Sequence, residues 1–510
     1  MTTALLQSQL PVTTAFREEY LAYYRFLPLE LTGKTLRVAI AGVPHAEAMA
    51  DLSQSYDAKL DLVPVAEDEL REAIRRTFAA AESVVDLMRE LEEADGGTGG
   101  PADRRTGGPS DPPSDPTITD VRGMARQPVV IRFVNLLIRD AYDAGASDVH
   151  FEATRDGLRV RLRIDGVLSE LPRPPRGLQD AIVSRIKLLA ELDIAERRRP
   201  QDGRIRVRLE SRELDLRIAT VPTLFGESVV LRLLDRGGQP VGLDDLGMSP
   251  AIRETFRQLA RKGHGILLAT GPTGAGKTTT LYAALGIRDP SAEKIITVED
   301  PVEYHLPGVT QVPVHAAQGM TFAGALRSLL RQDPDVIMVG EMRDAETASI
   351  AVQAALTGHL VFSTLHTNDA VSAVARLVDL KVEAYLVAAT VEAVLAQRLV
   401  RRICPECRER YRPDPAAMAL LAQQPVGEFV LERGSGCGAC RQTGYRGRVG
   451  LYELFVVTDE VRNTIARGGD MAALRTLAVE QGMTTLRADG WHKVRAGLTT
   501  VEEVLRVVGE

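Results

Sequence analysis

The stretch Gly271-Pro272-Thr273-Gly274-Ala275-Gly276-Lys277-Thr278, followed by Thr279, decides the fold of the largest part of this chain. It matches the phosphate-loop pattern G-x-x-x-x-G-K-[ST] at every fixed position, directly after the apolar run Ile266–Thr270 and before a predicted helix. Glycines let successive backbone N–H groups curl around phosphate oxygens, and the helix presents its positive end there. Lys277 is expected to reach the β and γ phosphates, and Thr278 to bind Mg²⁺. We predict a nucleotide site, although the loop alone does not distinguish adenine from guanine.

The segments that follow the loop predict the surrounding architecture. Short apolar strands alternate with helical patterns, which is typical of an α/β fold with a parallel sheet covered on both faces. The predicted strands are Ile266–Thr270, Ile295–Val298, Val336–Val339 and Leu360–Thr364.

Two acidic segments follow these strands and provide candidate catalytic groups. Glu341 ends the segment that contains Val336–Val339, and Glu299, Asp300 and Glu303 follow Ile295–Val298. A phosphate loop needs one carboxylate near the metal and another to polarise the attacking water. We therefore predict that Glu341 lies near Mg²⁺ and that the second cluster lies at the same sheet edge.

Two histidines bracket the last of these strands. His359 precedes Leu360–Thr364 and His366 follows it, so both are candidates for imidazoles near the γ phosphate. For each histidine taken singly, a hydrogen-bonded structural role is an equal alternative.

The composition is that of an ordinary globular protein. The chain has 510 residues and 55.5 kDa, with 45% hydrophobic and 26% charged residues and a mean hydropathy of -0.06. At about 100 to 200 residues per domain, this length predicts three or four domains and excludes a single small module. The net charge of -7 argues against a protein whose entire surface is built for DNA.

The sequence also predicts where the protein is located. No stretch approaches the ~18 to 20 uncharged apolar residues of a membrane-spanning helix. The first basic residue is Arg17, so the N-terminus does not have the pattern of a secretory signal. We expect a cytosolic protein whose membrane association, if any, runs through partners or its surface.

A change in composition divides the chain. Gly, Pro, Ser and Asp are concentrated between Ala94 and Gln127, which predicts a mobile linker. Residues 1–93 show a short apolar run and a helical pattern from Glu67 to Glu93, typical of a small α/β domain, and with 16 acidic and 9 basic residues they hold the entire net charge. Residues 128–236 predict an α+β domain in which 19 of the 20 basic residues are arginine.

Four cysteines form two C-x-x-C pairs late in the chain. Cys404 and Cys407 are separated by 29 residues from Cys437 and Cys440, with no cysteine left over. Two such pairs can supply four thiolates to a closed, tetrahedral structural Zn²⁺ site. Four free thiols are the alternative, and because a closed site has no open coordination position we expect no catalysis here.

Longer motifs resemble a known family. The run from Gly271 to Asp369, with GPTGAGKTTTLY, ITVEDPVEY, LRSLLRQDPDVIMVGEMRD and TGHLVFSTLHTNDA, is similar to the secretion ATPases that drive type II secretion and type IV pili. Upstream, ASDVHFE, RIDGVLSEL, DIAERRRPQDGRI and GESVVLRLLD resemble the domain that precedes the motor domain in that family. The resemblance covers residues 128–510.

This resemblance implies roles for individual residues. Glu303 becomes the catalytic acid that positions water, supported by Glu299 and Asp300, while Glu341 fills the Walker B position and His359 and His366 bracket the histidine motif. The remaining implied site residues are arginines around the nucleotide. Those from the preceding domain are Arg217 and Arg232, and those from the motor domain are Arg327, Arg331 and Arg343. For any one strand arginine, a solvated surface position is an equal alternative.

The resemblance also implies a division of the chain. It runs as an N-terminal platform-binding domain (1–93), a linker (94–127), a PAS-like α+β domain carrying the arginines (128–243), a RecA-like ATPase core (244–395), a tetracysteine zinc subdomain (396–455) and a helical subdomain (456–510).

The implied function is a homohexameric ATPase that uses ATP, Mg²⁺ and Zn²⁺ at the cytoplasmic side of the inner membrane. Residues 1–93 would bind the cytoplasmic part of a bitopic inner-membrane platform protein, and a polytopic platform protein would be a second partner. Pilus assembly is the nearest alternative, favoured less by the single N-terminal domain and the linker. A nucleic-acid translocase is a distant one, because the arginine-rich strands contain almost no aromatic residues. The absence of an R-L-G-x-x-L run argues against control by cyclic di-GMP.

Overall fold

The arrangement of the chain comes from a computed structural model. It describes residues 18–32, 34–56, 58–79, 84–85, 87–88, 128–209, 212–235, 241–315, 318–413 and 430–509. The linker predicted at 94–127 lies outside the described residues.

The N-terminal unit is a small α/β domain, as the sequence predicts. Its elements are α1 (Glu18–Tyr24), β1 (Phe26–Thr32), β2 (Thr35–Ile40), α2 (Ala46–Tyr56), β3 (Lys59–Pro64) and α3 (Glu67–Ala79). Strand β2 lies in the middle of the sheet, antiparallel to β1 and parallel to β3. Apolar side chains such as Leu21, Phe26, Val38 and Leu70 form its core.

Residues 128–235 form an α+β unit. Its elements are α4 (Pro128–Asp143), β4 (Ala146–Thr154), β5 (Gly157–Ile164), β6 (Val167–Glu170), α5 (Gln179–Leu189), β7 (Gln201–Leu209), β8 (Arg212–Thr223) and β9 (Gly226–Asp235). The antiparallel sheet has the order β6-β5-β4-β9-β8-β7. Its apolar face packs on the two helices in one core, which leaves the arginine-bearing face outside.

The motor unit is built around a seven-stranded sheet. Its elements are α6 (Pro250–Leu259), β10 (Gly265–Thr270), α7 (Lys277–Leu285), β11 (Ile295–Glu299), β12 (Thr310–Pro313), α8 (Phe322–Leu329), β13 (Val336–Val339), α9 (Ala345–Leu356), β14 (Leu360–Leu365), α10 (Ser372–Asp379), α11 (Ala384–Thr390), β15 (Val391–Ile403) and β18 (Tyr445–Val456). The sheet order is β12-β11-β13-β14-β10-β15-β18, and every pair is parallel except β15 with β18. The loops that follow β10, β11, β13 and β14 therefore meet at one edge.

The predicted boundary between residues 395 and 396 is wrong. It falls inside β15, which pairs with β10 through Ala396 and with β18 through Ile403. β15 therefore has a neighbour on both sides up to Ala396 and stays in the sheet beside β18 as far as Ile403. The motor sheet therefore includes β15 and β18, and the cysteine segment lies between these two strands.

The C-terminal part completes the unit. Its elements are β16 (Arg408–Tyr411) and β17 (Leu431–Gly434), which pair with each other, and α12 (Asp459–Ala466), α13 (Met471–Glu480), α14 (Leu486–Arg495) and α15 (Val501–Val508). The last helix begins after Thr500, whose hydroxyl accepts a hydrogen bond from the Glu503 N–H, as the sequence motif predicts. None of the helices in the described part of the chain has an apolar run of the length that a bilayer requires.

Glu503 fixes α15 to the motor sheet. Its buried carboxylate binds the Arg401 guanidinium at 2.6 Å and the Arg506 guanidinium at 2.7 Å. Burial alone raises the pKa of Glu503, but these hydrogen bonds outweigh it and lower the pKa to about 2. The carboxylate therefore contributes stability above its ordinary pKa, and this contribution is lost as the pH falls towards 2.

Glu503→Gln is expected to lower the free energy of unfolding at pH 7 by about 3 kcal/mol, because two guanidinium groups lose their buried partner. Urea unfolding at pH 7 and pH 3 measures the effect, which should shrink at the lower pH. Glu502→Gln, at the exposed neighbouring position, is the matched control. Equal stability of the two variants at pH 7 would contradict this role.

The hairpin between β5 and β6 joins the arginine-bearing domain to the motor unit. Asp165 and Gly166 both have positive φ, at 48° and 83°, as a two-residue type I′ turn requires. The Asp165 carboxylate accepts a hydrogen bond from the Gly447 N–H at 2.8 Å and lies 3.4 Å from the Arg448 guanidinium. The two units therefore contact each other at this hairpin.

Candidate nucleotide site and cysteine cluster

The phosphate loop connects β10 to α7, as the sequence predicts. Gly271 has a φ of 150°, and a Cβ there would lie 2.5 Å from the Gln397 carbonyl oxygen, so only glycine fits. Pro272, Thr273 and Gly274 are exposed, and their loop is open to an incoming ligand. The first N–H groups of α7 have no acceptor within the helix and are available to phosphate oxygens.

Lys277 lies beneath this loop. Its buried Nζ donates hydrogen bonds to the carbonyl oxygens of Gly271 at 2.8 Å and Pro272 at 3.1 Å. Burial lowers the pKa of Lys277 to about 8, with Glu341 opposing and Arg398 adding to the shift. A phosphate group would offer the ammonium a stronger partner than these two carbonyls.

Arg398 was missed by sequence reasoning. It lies on β15, buried beside the loop, and its Nη2 donates to the Asn368 carbonyl at 2.8 Å. It therefore connects the segment after β14 to the base of the phosphate loop. Only the pairing of β15 with β10 reveals this position.

Glu341 lies where the sequence predicts, two residues beyond β13. Its carboxylate lies 2.6 Å from the Arg343 Nε and 3.6 Å from the His366 Nε2. Burial and the charge of Lys277 lower the pKa of His366, while Glu341 opposes them. The structure thus brings Lys277, Glu341, Arg343 and His366 together around the phosphate loop.

His359 lies away from the phosphate loop of the same chain. Its Nδ1 contacts the Ala354 carbonyl oxygen at 2.9 Å, and its own carbonyl oxygen accepts a hydrogen bond from the N–H of Gly265, the first residue of β10. The phosphate loop follows the other end of β10, about 16 Å away at ~3.3 Å per residue. The residue before a strand and the residue after it lie at opposite ends of that strand. Of these two histidines, only His366 therefore lies at the end where the phosphate loop is.

Glu299, a predicted nucleotide ligand, has its carboxylate hydrogen-bonded within the motor unit. Its carboxylate is buried and accepts hydrogen bonds from the Tyr282 hydroxyl, from Thr297 Oγ1 at 2.5 Å and from Gln311 Nε2 at 3.2 Å. These hydrogen bonds occupy the carboxylate oxygens of Glu299. They fix the end of β11, where the acidic segment from Glu299 to Glu303 begins. Its neighbour Asp300 is exposed at the sheet edge.

Glu303 faces the arginine-bearing domain. Burial raises the pKa of Glu303, and the charge of Glu299 adds to this shift. The positive charges of Arg217, the stronger of the two, and Arg232 oppose it. Burial likewise lowers the pKa of Arg217, with Glu303 as the main opposing charge. The Arg217 Nε is buried and has no hydrogen-bond partner among the described residues. Arg217 and Glu303 therefore face each other across the boundary between the two units.

The other predicted arginines are placed differently. Arg232 binds the Asp148 carboxylate at 2.9 Å through its Nε and remains half-exposed. Arg327 pairs with Glu346, while an Arg331 Nη donates to the Arg327 carbonyl oxygen at 3.0 Å. The structure does not bring Arg327 or Arg331 to the phosphate loop of the same chain.

The four cysteines converge on one point. Their sulfur atoms all lie within 4.8 Å of one another, with Sγ–Sγ distances of 3.9 Å for Cys404–Cys437, 3.8 Å for Cys407–Cys440 and 3.7 Å for Cys437–Cys440. A tetrahedron with metal–sulfur bonds of about 2.3 Å has edges of about 3.8 Å, so the cluster fits a metal ion with four thiolate ligands. Although burial opposes it, N–H groups from Cys437 and Gly444 lower the pKa of Cys440 to about 6. The cluster is a potential metal site.

Comparisons with known proteins agree with this architecture. The family model described as "Type II/IV secretion system protein" matches residues 124–506, and the MshEN domain model matches residues 4–84. The type II secretion system protein HxcR of Pseudomonas aeruginosa is 47% identical over 469 residues, which cover 92% of each chain. The type IV pilus assembly ATPase PilB of Myxococcus xanthus is 41% identical over 488 residues, covering 94% of this chain and 83% of PilB.

A solved structure shares the fold. The ATPase DotB of Legionella pneumophila superposes with a TM-score of 0.54 at 22% identity, covering 73% of this chain and 94% of DotB. Because the family model matches most of its length and the phosphate site is built as such enzymes require, the chain belongs to the type II/IV secretion system proteins and is a secretion ATPase.

Proposed function

We propose that this chain is the ATP-hydrolysing motor of a type II secretion system, which powers pseudopilus assembly and the export of proteins across the outer membrane. The observation that carries this proposal is the opposition of Arg217 and Glu303 across two units, beside a complete phosphate loop. A charge pair split between units makes ATP chemistry depend on how the units approach each other, and a motor needs this dependence.

Residues of the motor unit would hold the nucleotide. The phosphate loop binds the β and γ phosphates through its N–H groups and Lys277, and Thr278 and Glu341 would hold Mg²⁺. Bound Mg²⁺ would neutralise charge on the phosphate oxygens. Glu303 would orient the attacking water and accept its proton, and the raised pKa from burial suits that role.

Arg217 would act when the units close. Among the residues that the structure describes, none accepts a hydrogen bond from the Arg217 Nε, and negative charge develops on the γ-phosphoryl group during transfer. Closing the cleft would bring this charge to the phosphate and expel water. Hydrolysis and phosphate release would then remove the anion that holds the cleft closed, so each turnover would produce an opening movement.

His366→Ala is expected to lower ATP turnover by about 10-fold to 100-fold, because the imidazole contacts Glu341 beside Lys277. His359→Ala should stay within about twofold of the unmodified protein, since that ring lies at the opposite sheet edge. Steady-state phosphate release by the two purified variants provides the measurement. A loss of turnover in His359→Ala matching that in His366→Ala would contradict the placement of both rings.

The four thiolates would hold Zn²⁺ as a closed structural site. Replacing Cys407 by Ser is expected to reduce bound zinc from about one equivalent per chain to near zero and to lower the thermal stability of the cysteine segment. Elemental analysis with thermal unfolding measures both, and Ser435→Ala is a nearby control. A Cys407→Ser protein that retains a full equivalent of zinc would argue against this ligand set.

The partners follow from the proposed role. We infer a homohexamer on the cytoplasmic side of the inner membrane, held there by a bitopic platform protein that binds residues 1–93 and by a polytopic platform protein. The excess of acidic over basic residues in this segment would suit a basic surface on the first partner.

Type IV pilus assembly is the second candidate function, supported by the identity to PilB. Gene deletion in the producing organism separates the two. Loss of secreted proteins with pili intact, restored by the unmodified gene but not by Lys277→Ala, is expected. Loss of pili with secretion intact would instead support pilus assembly, and stimulation of ATPase activity by DNA would favour a nucleic-acid translocase.

A further inference from the structure

Three arginines form a row across the exposed face of the arginine-bearing domain. Arg204 on β7 is in register with Arg217 on β8, which is in register with Arg232 on β9. Adjacent strands lie ~4.8 Å apart, so the three side chains leave the sheet side by side. The row continues with Asp148 and then Arg163 on the next two strands.

The Asp148 carboxylate pairs with arginines at only one end of this row. Asp148 binds Arg232 at 2.9 Å and lies 3.8 Å from Arg163. Within the described part of the chain, neither Arg204 nor Arg217 has a hydrogen bond or an ion pair from its side chain. At this end of the row, Glu303 and Asp215 oppose the positive charge of Arg217 without a direct ion pair.

These arginines surround an open cavity. Its volume is about 370 Å³, and Arg204, Arg217 and Arg232 line it together with Asp202, Gly203, Ile218, Ala219 and Val230. The cavity lining thus contains one carboxylate, that of Asp202, and three guanidinium groups. Arg217 is also the member of the row that faces Glu303, so the cavity lies next to the nucleotide cleft.

Like charges placed directly opposite each other on neighbouring strands are destabilising. Arg204 adds to this repulsion, because its charge disfavours the protonated form of Arg217. A bound anion removes the repulsion, and the planar guanidinium fork suits phosphate oxygens. The arrangement is therefore complementary to a ligand with several negative charges close together.

We propose that Arg204 is a third phosphate-binding arginine, which joins Arg217 and Arg232 in binding the terminal phosphate of ATP when the domains close. This inference rests on the proposed function, because the phosphate comes from the nucleotide in the motor unit. Arg204 holds one side of the terminal phosphate and keeps Arg217 turned towards Glu303.

Arg206 provides a matched comparison. It lies two residues from Arg204 on the same face of β7, and like Arg204 it is exposed. It stands opposite Asp215 in register rather than opposite another arginine, and it does not line the cavity. Arg204→Ala and Arg206→Ala thus remove the same charge from the same strand and face.

Turnover and nucleotide affinity test the proposal. Arg204→Ala should lower kcat/KM for ATP about 10-fold to 100-fold and weaken binding of ADP–beryllium fluoride, a mimic of the terminal phosphate, to a similar extent. Binding of ADP alone should stay within twofold, and Arg204→Lys should recover part of the loss. Arg206→Ala should match the unmodified protein in all three measurements.

Thermal unfolding provides a second test. Without nucleotide, Arg204→Ala should be at least as stable as the unmodified protein, because repulsion is relieved. With ADP–beryllium fluoride, it should gain less stability than the unmodified protein does. Equal losses of ADP and ADP–beryllium fluoride binding, or kinetics identical to those of Arg206→Ala, would overturn the role of Arg204. If Arg217→Ala loses turnover while Arg204→Ala does not, the proposed function stands and this inference fails.

Discussion

Glu303→Gln is expected to reduce ATP turnover by about 100-fold to 10,000-fold, while ATP affinity stays within a few-fold of the unmodified protein. The amide keeps the size of the side chain but cannot accept the proton of the attacking water. Affinity should persist because the phosphate loop and Lys277, which would bind the triphosphate, are untouched. Single-turnover hydrolysis and equilibrium binding of a fluorescent ATP analogue give the two quantities separately.

The control for this substitution is Glu254→Gln. Glu254 lies on α6 of the same unit, where it pairs with Arg257 on the surface. The control should retain full activity, because a surface pair contributes little to either stability or chemistry. If Glu303→Gln hydrolyses ATP as fast as Glu254→Gln does, Glu303 is not the group that activates water.

Arg217→Ala is expected to lower turnover by about 1,000-fold or more, which is the scale of arginine fingers in phosphoryl transfer. The substitution removes the guanidinium that faces Glu303 from the other unit. Affinity for ADP should change only a few-fold, since the motor unit holds the phosphates that ADP retains. Phosphate release at saturating ATP, with separately measured ATP affinity, distinguishes lost chemistry from lost binding.

Arg159→Ala is the appropriate control for Arg217→Ala. Arg159 is also a strand arginine of the same domain, but its guanidinium binds Glu170 at the surface at 2.6 Å. Its replacement should leave turnover unchanged. Unaltered turnover in Arg217→Ala would remove the reason to assign chemistry to the boundary between the two units.

The features that the sequence predicted depend on residues that lie close together in the chain. The phosphate loop needs only a strand, eight residues and a helix in succession, so the motif fixes it. Glu341 follows from the rule that parallel strands end at one edge, and the structure places it beside Lys277. The cysteine pairs likewise indicated a cluster, because two C-x-x-C turns supply ligands at fixed spacing.

The features that the sequence did not predict depend on pairing between distant segments. Arg398 reaches the phosphate loop only because β15 lies beside β10, and Arg204 meets Arg217 only through the register of β7 and β8. His359 precedes its strand, and the same rule that places Glu341 at the carboxyl ends of the parallel strands places His359 at their opposite ends. The hydrogen bonds that Glu299 accepts from Tyr282, Thr297 and Gln311 likewise depend on how distant segments pack.

Arg217 and Glu303 are expected to act together on one phosphoryl group. A double-mutant cycle of Arg217→Ala and Glu303→Gln in single-turnover ATP hydrolysis tests it most directly. Strong coupling is expected, with the double variant about as slow as the slower single variant. Full additivity, in which the two losses multiply, would mean that the residues act independently, and it would contradict a shared site between the two units.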